Sequence, residues 1–286
     1  MQSSPKVVLV TGVSSGIGRA TAELLAQQGY HVFGTSRRVE GMEPIAGVEA
    51  LELDVRDGES VTRCIASVQK KAGRLDVLVN NAGITMFGAV EELCIEEAMA
   101  LFETNFFGVV RTSLAALPIM RAQGFGRIIN VGSIAGFLPT PFETMYGASK
   151  HAIEGFSESL NYEVEPFGIS VSIIQPGFVR TAMDRNYTEA AAHLDAYAAI
   201  RQQAMETANA ATRKGADPDM VARIILRAIR SKSPKLRYLA GWDAFGTRLA
   251  RSVVPPGLFA MGVRAELKLR KSVEPPIKSE GTTGSV

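Results

Sequence analysis

Residues 6–18, KVVLVTGVSSGIG, decide the fold of this chain. The first six residues are rich in β-branched side chains, which predicts a buried strand of a parallel sheet. Glycines follow at Gly12, Gly16 and Gly18, and residues 19–28 then show helical spacing. A glycine-rich turn that joins a strand to a helix is the context in which proteins bind the pyrophosphate of a dinucleotide.

Each glycine of this turn has its own physical reason. Gly12 allows the tight turn, Gly16 lets the backbone approach a pyrophosphate, and Gly18 lets the helix pack closely on the sheet. The N-terminus of the helix offers unpaired N–H groups and a positive dipole end to the phosphates. The spacing Gly-x-x-x-Gly-x-Gly differs from the commoner Gly-x-Gly-x-x-Gly, so an ordinary glycine-rich turn is the alternative.

Strands and helices alternate from this turn to about residue 240. We predict strands at residues 6–11, 31–36, 48–53, 75–80, 127–131, 169–175 and 236–240, and helices at 19–28, 57–72, 95–121, 144–167 and 217–231. The alternation predicts an α/β fold: a doubly wound parallel sheet (Rossmann fold) of about seven strands, with helices on both faces and right-handed crossovers, in a single domain.

The remaining C-terminal sequence extends this domain with helices. Residues 181–214 are alanine-rich and helical in propensity, and 243–270 indicate two helices broken at a Pro-Pro pair. We place the domain at residues 1–273. Residues 274–286, rich in Pro, Gly, Ser and Thr, are predicted to be disordered.

Composition excludes several classes of protein. The 286 residues are 46% hydrophobic and carry a net charge of +2, which speaks against nucleic-acid binding. Cys64 and Cys94 form neither a disulfide framework nor a metal-ligand spacing, and we interpret both as buried thiols in a reducing compartment. No signal peptide and no apolar run of ~20 residues is present. These features predict a soluble cytoplasmic protein with no metal site and no transmembrane segment.

Tyr146 and Lys150 lie four residues apart, so their side chains share one face of a predicted helix. A free tyrosine has a pKa near ~10 and exchanges protons poorly at neutral pH. A nearby ammonium group favours the phenolate and lowers that pKa. The pair could therefore exchange a proton with an alcohol or a carbonyl oxygen, although Tyr-x-x-x-Lys also occurs often by chance.

Further motifs stand in a fixed order around this pair. Residues 11–18 are followed by Asn80-Asn81-Ala82-Gly83 and then by Tyr146 and Lys150, and between and beyond them stand Leu53-Asp54-Val55, Asn105, Ser133 and Pro176-Gly177. In this order the motifs resemble the short-chain dehydrogenase/reductase family, over residues 6–240. The region after residue 236 is similar to steroid-dehydrogenase-like members.

The resemblance implies an oxidoreductase that moves hydride between a nicotinamide and a substrate carbon. It implies that Tyr146 is the general acid/base, that Lys150 lowers its pKa and binds the nicotinamide ribose, that Ser133 binds the substrate oxygen, and that Asn105 holds a water in a proton relay. The cofactor-binding residues it implies are Gly12, Ser14, Ser15, Gly16, Ile17, Gly18, Asp54, Val55, Asn81, Ala82, Gly83, Tyr146, Lys150, Pro176, Gly177, Val179 and Thr181.

Several of these residues also have a structural alternative. Ser133 could cap a strand end, and Asn105 could be a structural amide within a helix. Asp54, the implied contact to the adenine amino group, could cap a turn. Asn81 could hold neighbouring strands together as well as line the adenosine.

The end of the second strand predicts which nicotinamide cofactor is used. An enzyme that uses NAD usually carries an acidic residue there, which binds the ribose 2′-hydroxyl. This chain has Ser36 at that position, followed by Arg37 and Arg38. Guanidinium groups bind a 2′-phosphate, whereas a carboxylate repels it. We therefore predict NADP(H), with Arg37 as the main contact and Arg38 as the secondary one; the alternative is two solvated arginines.

The segments expected to line the substrate pocket are mostly apolar. Their side chains suggest a lipophilic carbonyl or secondary alcohol, steroid- or retinoid-like; the alternative is that they only pack the loops. These side chains are Met86, Phe87, Phe137, Leu138, Phe142, Met183 and Tyr187.

Assembly is expected through two of the helices. Members of the family commonly pair through the long helix and the Tyr/Lys helix, and small residues there would permit close approach in a homodimer or homotetramer (Ala115, Ala116, Ala152 and Gly155). Basic residues near the C-terminus favour a solvated basic face over a blocked subunit interface or a contact with a membrane surface. They are Arg248, Arg251, Arg264, Lys268, Arg270 and Lys271, beside Phe259 and Met261.

Two other functions compete with the oxidoreductase. A sugar-nucleotide epimerase or dehydratase also uses Tyr-x-x-x-Lys, but its relatives usually carry a different glycine spacing and an acid after the second strand. A non-catalytic NADP(H) sensor would need none of the four proton-transfer residues. The sequence therefore favours the oxidoreductase.

Overall fold

The computed structural model describes residues 5–181 and 188–266 of the chain. The strands are β1 (Val7–Thr11), β2 (His31–Ser36), β3 (Val48–Glu52), β4 (Val77–Asn80), β5 (Met86–Phe87), β6 (Gly126–Val131), β7 (Ile169–Pro176), β8 (Thr188–Glu189) and β9 (Arg237–Ala240). The α-helices are α1 (Gly16–Gln27), α2 (Gly58–Ala72), α3 (Ile95–Phe102), α4 (Gly108–Gln123), α5 (Thr144–Val164), α6 (Asp195–Arg213), α7 (Pro218–Arg230), α8 (Trp242–Val253) and α9 (Pro256–Glu266).

Within the described residues, seven strands form one parallel sheet in the order β3-β2-β1-β4-β6-β7-β9. The strands β5 and β8 pair separately, also in parallel. This confirms the predicted single-domain, doubly wound fold. The strand order reverses between β1 and β4, so a crevice opens at the carboxyl ends of these strands, where α/β sheets bind ligands.

The sheet is buried because an apolar layer covers each face. On one face α1 and α7 pack, and α7 contributes Val221, Ile225 and Ile229 at helical spacing. On the other face α2, α4 and α5 pack, and the buried side chains include Cys64 and Met120. Burial raises the pKa of the Cys64 thiol to about 11, so this cysteine is an inert core residue.

Some sequence expectations differ from the structure. Cys94 is exposed rather than buried, because it precedes α3 at the surface. The helix α1 begins at Gly16, inside the stretch assigned to the turn. The helix predicted at 95–121 is interrupted by a π-helical turn at Glu103–Phe107. In the described part of the alanine-rich stretch, the short strand β8 precedes the helix, which begins only at Asp195.

Two further expectations concern regions beyond the core. Residues 274–286 and the side chains of Met183 and Tyr187 lie outside the described residues. Among the helices that the structure describes, none combines the length and the apolar character that crossing a bilayer requires.

Candidate active site

A cavity of about 1070 Å³ opens at the carboxyl ends of the central strands. Every residue predicted to bind cofactor or to take part in catalysis lines it, except Gly18 and Asn105. The sequence motifs, which are spread over 170 residues of chain, are therefore brought together at one place by the parallel sheet.

The glycine turn has the close contacts that a phosphate site needs. Gly12 has a φ of 71°, and a Cβ there would lie 2.9 Å from the Cα of Ala82. A Cβ on Gly18 would lie 2.1 Å from the carbonyl oxygen of Gly12, so Gly18 supports the turn without lining the cavity. Ser15 precedes α1 but its side chain does not cap it, and the first turn of α1 has no acidic residue. The helix N-terminus thus keeps donors for an anionic ligand.

Asn81 fixes the glycine turn to the end of β4. Its Nδ2 donates to the carbonyl oxygens of Thr11 at 2.9 Å and Gly12 at 3.0 Å. The Thr11 hydroxyl accepts from the backbone N–H groups of Asn81 and Ala82. The structural role considered for Asn81 is therefore present, on a residue that also lines the cavity.

Two arginines, Arg37 and Arg38, line the cavity just after the end of β2. Arg37 and Arg38 are exposed, and neither forms an ion pair with any residue in the described ranges. Asp54 is held by Arg56, whose guanidinium donates to both carboxylate oxygens. This pairing lowers the pKa of Asp54, with a smaller contribution from the charge of Arg37. The positive charges of Arg37 and Arg38 therefore favour the binding of a negatively charged group beside them.

Ser133 and Asn105 both have structural partners. The Ser133 hydroxyl accepts from the N–H of Ala135 at 3.1 Å and so caps a 3₁₀ turn, while it also hydrogen-bonds Tyr146. The Asn105 side chain is buried, and it exchanges two hydrogen bonds with the backbone of Ile84 and donates to Ser149 Oγ. Both donors of its amide are therefore committed to protein groups, and the water-binding role stays a prediction.

Burial controls the protonation of Tyr146 and Lys150. Desolvation raises the pKa of Tyr146, the charge of Glu143 raises it further, and the hydrogen bond with Ser133 acts in the opposite direction. Desolvation lowers the pKa of Lys150 to about 8. The ammonium donates to the carbonyl of Val131 at 3.0 Å, and Nζ lies 5.6 Å from the centroid of the Tyr146 ring. The pKa of Tyr146 is thus raised by its surroundings, whereas the sequence predicted that Lys150 lowers it.

Glu143 is a cavity residue that the sequence analysis missed. It precedes Tyr146 by three residues, hence by about one helical turn, and this spacing was the available signal. Thr85 Oγ1 donates to its Oε1 at 3.4 Å. Further hydroxyl groups line the cavity, from Thr140, Thr188 and Thr212. The described lining of the cavity is therefore more polar than expected.

Of the apolar side chains predicted to line the pocket, Met86, Phe87, Phe137, Leu138 and Phe142 belong to the described residues, and none of these five lines the described cavity. Phe87 and Phe142 are buried and stacked with ring centroids 5.9 Å apart, and they pack with Ala204 of α6. Phe137 lies beneath the guanidinium of Arg248, with Cζ 5.0 Å from its ring centroid. The packing alternative is correct for these residues, because β5, the loop before α5 and α6 need a small core of their own.

Comparison with known proteins identifies the family. The model of the short chain dehydrogenase family matches residues 6–192. The chain belongs to the short-chain dehydrogenase family. It is 39% identical over 239 residues to a 3-ketodihydrosphingosine reductase of Bacteroides thetaiotaomicron, an alignment that covers 83% of this chain and 88% of the relative. It is 35% identical over 258 residues to human 17-beta-hydroxysteroid dehydrogenase type 1, covering 81% and 76%. A solved short-chain dehydrogenase from Streptomyces avermitilis superposes with a TM-score of 0.78 at 37% identity, covering 94% and 96%.

Solved members of the family bind both nicotinamide cofactors. A short-chain dehydrogenase/reductase from Burkholderia phymatum, 26% identical with a TM-score of 0.76, was solved with NAD; the alignment covers 96% of this chain and 99% of that one. A metagenomic short-chain oxidoreductase, 28% identical with a TM-score of 0.65, was solved with NADP; the alignment covers 83% and 98%. The chain is therefore an oxidoreductase of a family whose members use NAD or NADP. Among the described residues, no cluster of His, Cys, Asp or Glu could hold a metal ion.

Proposed function

We propose that this protein interconverts a carbonyl and a secondary alcohol on a lipophilic substrate with NADP(H). The observation that carries the proposal is that Ser133, Tyr146 and Lys150 line the same cavity as the glycine turn and Arg37. The glycine contacts and the uncapped N-terminus of α1 fit a dinucleotide.

In the proposed reaction each residue acts at a stated atom. NADPH, when bound, supplies the hydride that reaches the carbonyl carbon. The Tyr146 hydroxyl gives its proton to the carbonyl oxygen, and the raised pKa of Tyr146 keeps it protonated for this step near neutral pH. Ser133 donates a hydrogen bond to the same oxygen as charge develops on it. Lys150, held by the carbonyl of Val131, orients the ribose and returns a proton to Tyr146.

NADP(H) is proposed over NAD(H) because of the residues at the end of β2. Ser36 replaces the usual acid, Arg37 and Arg38 line the cavity, and Asp54 is already paired with Arg56. A 2′-phosphate would find guanidinium groups there and no unpaired carboxylate in the immediate surroundings.

The cofactor proposal is tested by kcat/KM for NADPH and NADH in the wild type and in Arg37→Ala. We expect NADPH to be preferred and the preference to fall by about tenfold or more in Arg37→Ala, since a charge-assisted pair contributes about 1.5–3 kcal/mol. Arg63→Ala, on the exposed face of α2, is the matched control and should change nothing. Equal use of NADH by the wild type contradicts the proposal.

The lipophilic substrate is supported by what two relatives act on according to their names, a ketodihydrosphingosine and a hydroxysteroid. Glu143, whose charge acts on Tyr146, adds a refinement: it favours a substrate with hydrogen-bond donors close to the reacting carbon. A long-chain ketone with neighbouring amino or hydroxyl groups combines both properties.

The substrate proposal is tested by following NADPH consumption against sphingoid ketones, ketosteroids, retinal, quinones, small aldehydes and ketoacyl thioesters. We expect the highest kcat/KM for a long-chain or polycyclic ketone with a polar group next to the carbonyl. Highest turnover of a small or strongly anionic carbonyl would contradict it. Homo-oligomeric assembly and a cytoplasmic location stay predictions.

A further inference from the structure

The helix α8 turns its apolar side chains away from the protein. Trp242, Phe245, Leu249 and Val253 recur at intervals of three or four residues and therefore lie on one side of the helix. They are 91%, 54%, 52% and 68% exposed, whereas Ala244 on the opposite side is fully buried. The apolar stripe of a helix in a globular domain ordinarily faces the core. An outward stripe of four large side chains indicates an interaction surface.

The sequence around this stripe is strongly basic. Residues 242–271 contain six basic residues and two acidic ones. One of the acids, Asp243, is engaged by the protein, because its Oδ2 accepts from the backbone N–H of Phe178 at 2.8 Å. Arg248 stands at the edge of the stripe with its guanidinium over the ring of Phe137, and Arg251 lies on the other side of α8, over the ring of Phe259. The helix α9 adds exposed Leu258 and Met261. An exposed apolar helix face with aromatic residues, in a segment of net positive charge, is the pattern of helices that lie in the interface of an anionic bilayer.

The helix α8 is also braced against the walls of the cavity. The Asp243 bond holds its first turn to Phe178, which lines the cavity. Arg248 lies over Phe137, which stands two residues after the cavity residue Ala135. A surface in contact with the outward face of α8 would therefore lie next to the cavity.

We propose that the outward face of α8 docks on the surface of an anionic lipid bilayer. Trp242 lies at the polar-apolar boundary, Phe245, Leu249 and Val253 enter the outer acyl region, and the net positive charge of residues 242–271 attracts the lipid phosphates. An apolar compound dissolved in the bilayer would then reach the cavity without crossing much water. The docking itself does not depend on which compound is transformed.

A second copy of the chain fits this face less well. A symmetric pair would bring the same face of both chains together, and with it the net positive charge of both segments. Like charges at an interface cost free energy, whereas lipid phosphates neutralise them. The charge pattern therefore favours the bilayer over self-association.

The single tryptophan of the chain is Trp242, so its fluorescence reports on this face alone. The full chain is titrated with vesicles of phosphatidylcholine, with and without phosphatidylserine, and binding is also measured by co-sedimentation. We expect a blue shift of the emission and co-sedimentation with the anionic vesicles, both weakened by salt. The variant with Phe245→Ser and Leu249→Ser should bind at least about tenfold more weakly, since two apolar side chains no longer enter the bilayer.

Matched variants complete the test. Ile95→Ser with Met99→Ser removes two equally exposed apolar side chains from α3 and should leave binding unchanged. Arg251→Glu with Arg264→Glu should abolish the preference for anionic vesicles. Two results overturn the proposal: no shift with any vesicle, or a shift that follows protein concentration without lipid, which would indicate self-association. Turnover of a detergent-solubilised ketone should be unchanged in the variants of α8, so failure of the docking is distinguishable from failure of the proposed activity.

Discussion

Tyr146 is surrounded by groups that set its pKa in different directions. Desolvation and the charge of Glu143 raise this pKa, and the bond with Ser133 lowers it. Oxidation of an alcohol requires the phenolate, so the pH at which oxidation gains half its rate reports on this balance. The neighbouring carboxylate is therefore expected to set the working pH range.

Removing that carboxylate should shift the pH profile. In Glu143→Gln the negative charge is lost, so the pKa of Tyr146 falls and the rise of kcat/KM for alcohol oxidation moves to lower pH. Glu163→Gln, an exposed residue further along α5, is the control and should leave the profile in place. A profile of Glu143→Gln that stays or moves to higher pH would show that Glu143 does not act on Tyr146.

At this scale the sequence predicted which residues meet but not their protonation. The ordered motifs predicted Ser133, Tyr146 and Lys150 in one place, and all three line one cavity. The spacing of two residues along a helix predicts that their side chains are close, but it does not predict how far they are buried from water. The sequence therefore could not predict that desolvation has the largest effect on the pKa values of Tyr146 and Lys150. Glu143 was missed because a lone carboxylate at a helix start usually has a structural role.

At the scale of elements, α6 is attached to the protein through a buried carboxylate. Glu92 has a side chain with no exposed surface, and it binds the guanidinium of Arg201 on α6 and the N–H groups of Ala89 and Leu194. Desolvation alone would raise the pKa of Glu92, but these hydrogen bonds and the charge of Arg201 together lower it. The pair holds the helix that carries the cavity residue Thr212.

Breaking this pair should destabilise the fold. Arg201→Met leaves a buried, uncompensated carboxylate, and we expect a loss of about 3 kcal/mol in the free energy of unfolding, measured with urea at pH 7. Arg213→Met, at the exposed end of the same helix, should change it by no more than about 0.5 kcal/mol. A loss in Arg201→Met no larger than that of this control would mean that the pair does not hold α6.

The pH dependence of stability follows from the sign of the shift. Because the folded pKa of Glu92 is lowered, its contribution is present above the unfolded value of about 4.3 and is lost as the pH falls through the folded pKa. The wild type should therefore lose more stability than Arg201→Met when urea unfolding is repeated at acidic pH. A larger acid sensitivity of the variant would contradict the assigned partner.

The bounds of strands and helices were predicted best where the apolar residues recur at a clear strand or helix spacing. Residues 31–36 and the helix before residue 231 agree with β2 and α7 to within one residue. The π-helical turn at Glu103–Phe107 could not be predicted, because one extra residue in a turn leaves the apolar spacing almost unchanged. The prediction that Phe87 and Phe142 line the pocket is wrong, because both pack against α6, which is distant in the sequence, and local sequence does not report such contacts.

At the scale of the whole molecule, assembly is expected through the outer faces of α4 and α5. Ala116, one of the small residues expected at the interface, is buried within the chain and cannot contribute. Instead Leu114 and Tyr162 are 62% and 66% exposed on these helices, and Gly155 has open space around it. Large apolar side chains that face outward on adjacent helices favour a subunit interface.

Charges on this surface should dissociate the oligomer. In the variant with Leu114→Glu and Tyr162→Glu, the molar mass from light scattering should fall to that of one chain, because carboxylates would be buried at the interface. Ile95→Glu, equally exposed on α3, is the control and should leave the mass unchanged. A wild type that already has the mass of one chain would rule out this assembly.

We propose that Tyr146 is the proton donor of a hydride-transfer site, and Tyr146→Phe tests this role most directly. NADPH-dependent reduction of the best ketone is compared in wild type and variant, with NADPH binding measured in parallel by titration. We expect a fall in kcat of at least about 100-fold with NADPH affinity changed by no more than about threefold. A variant that binds NADPH normally and keeps wild-type kcat would contradict this role of Tyr146.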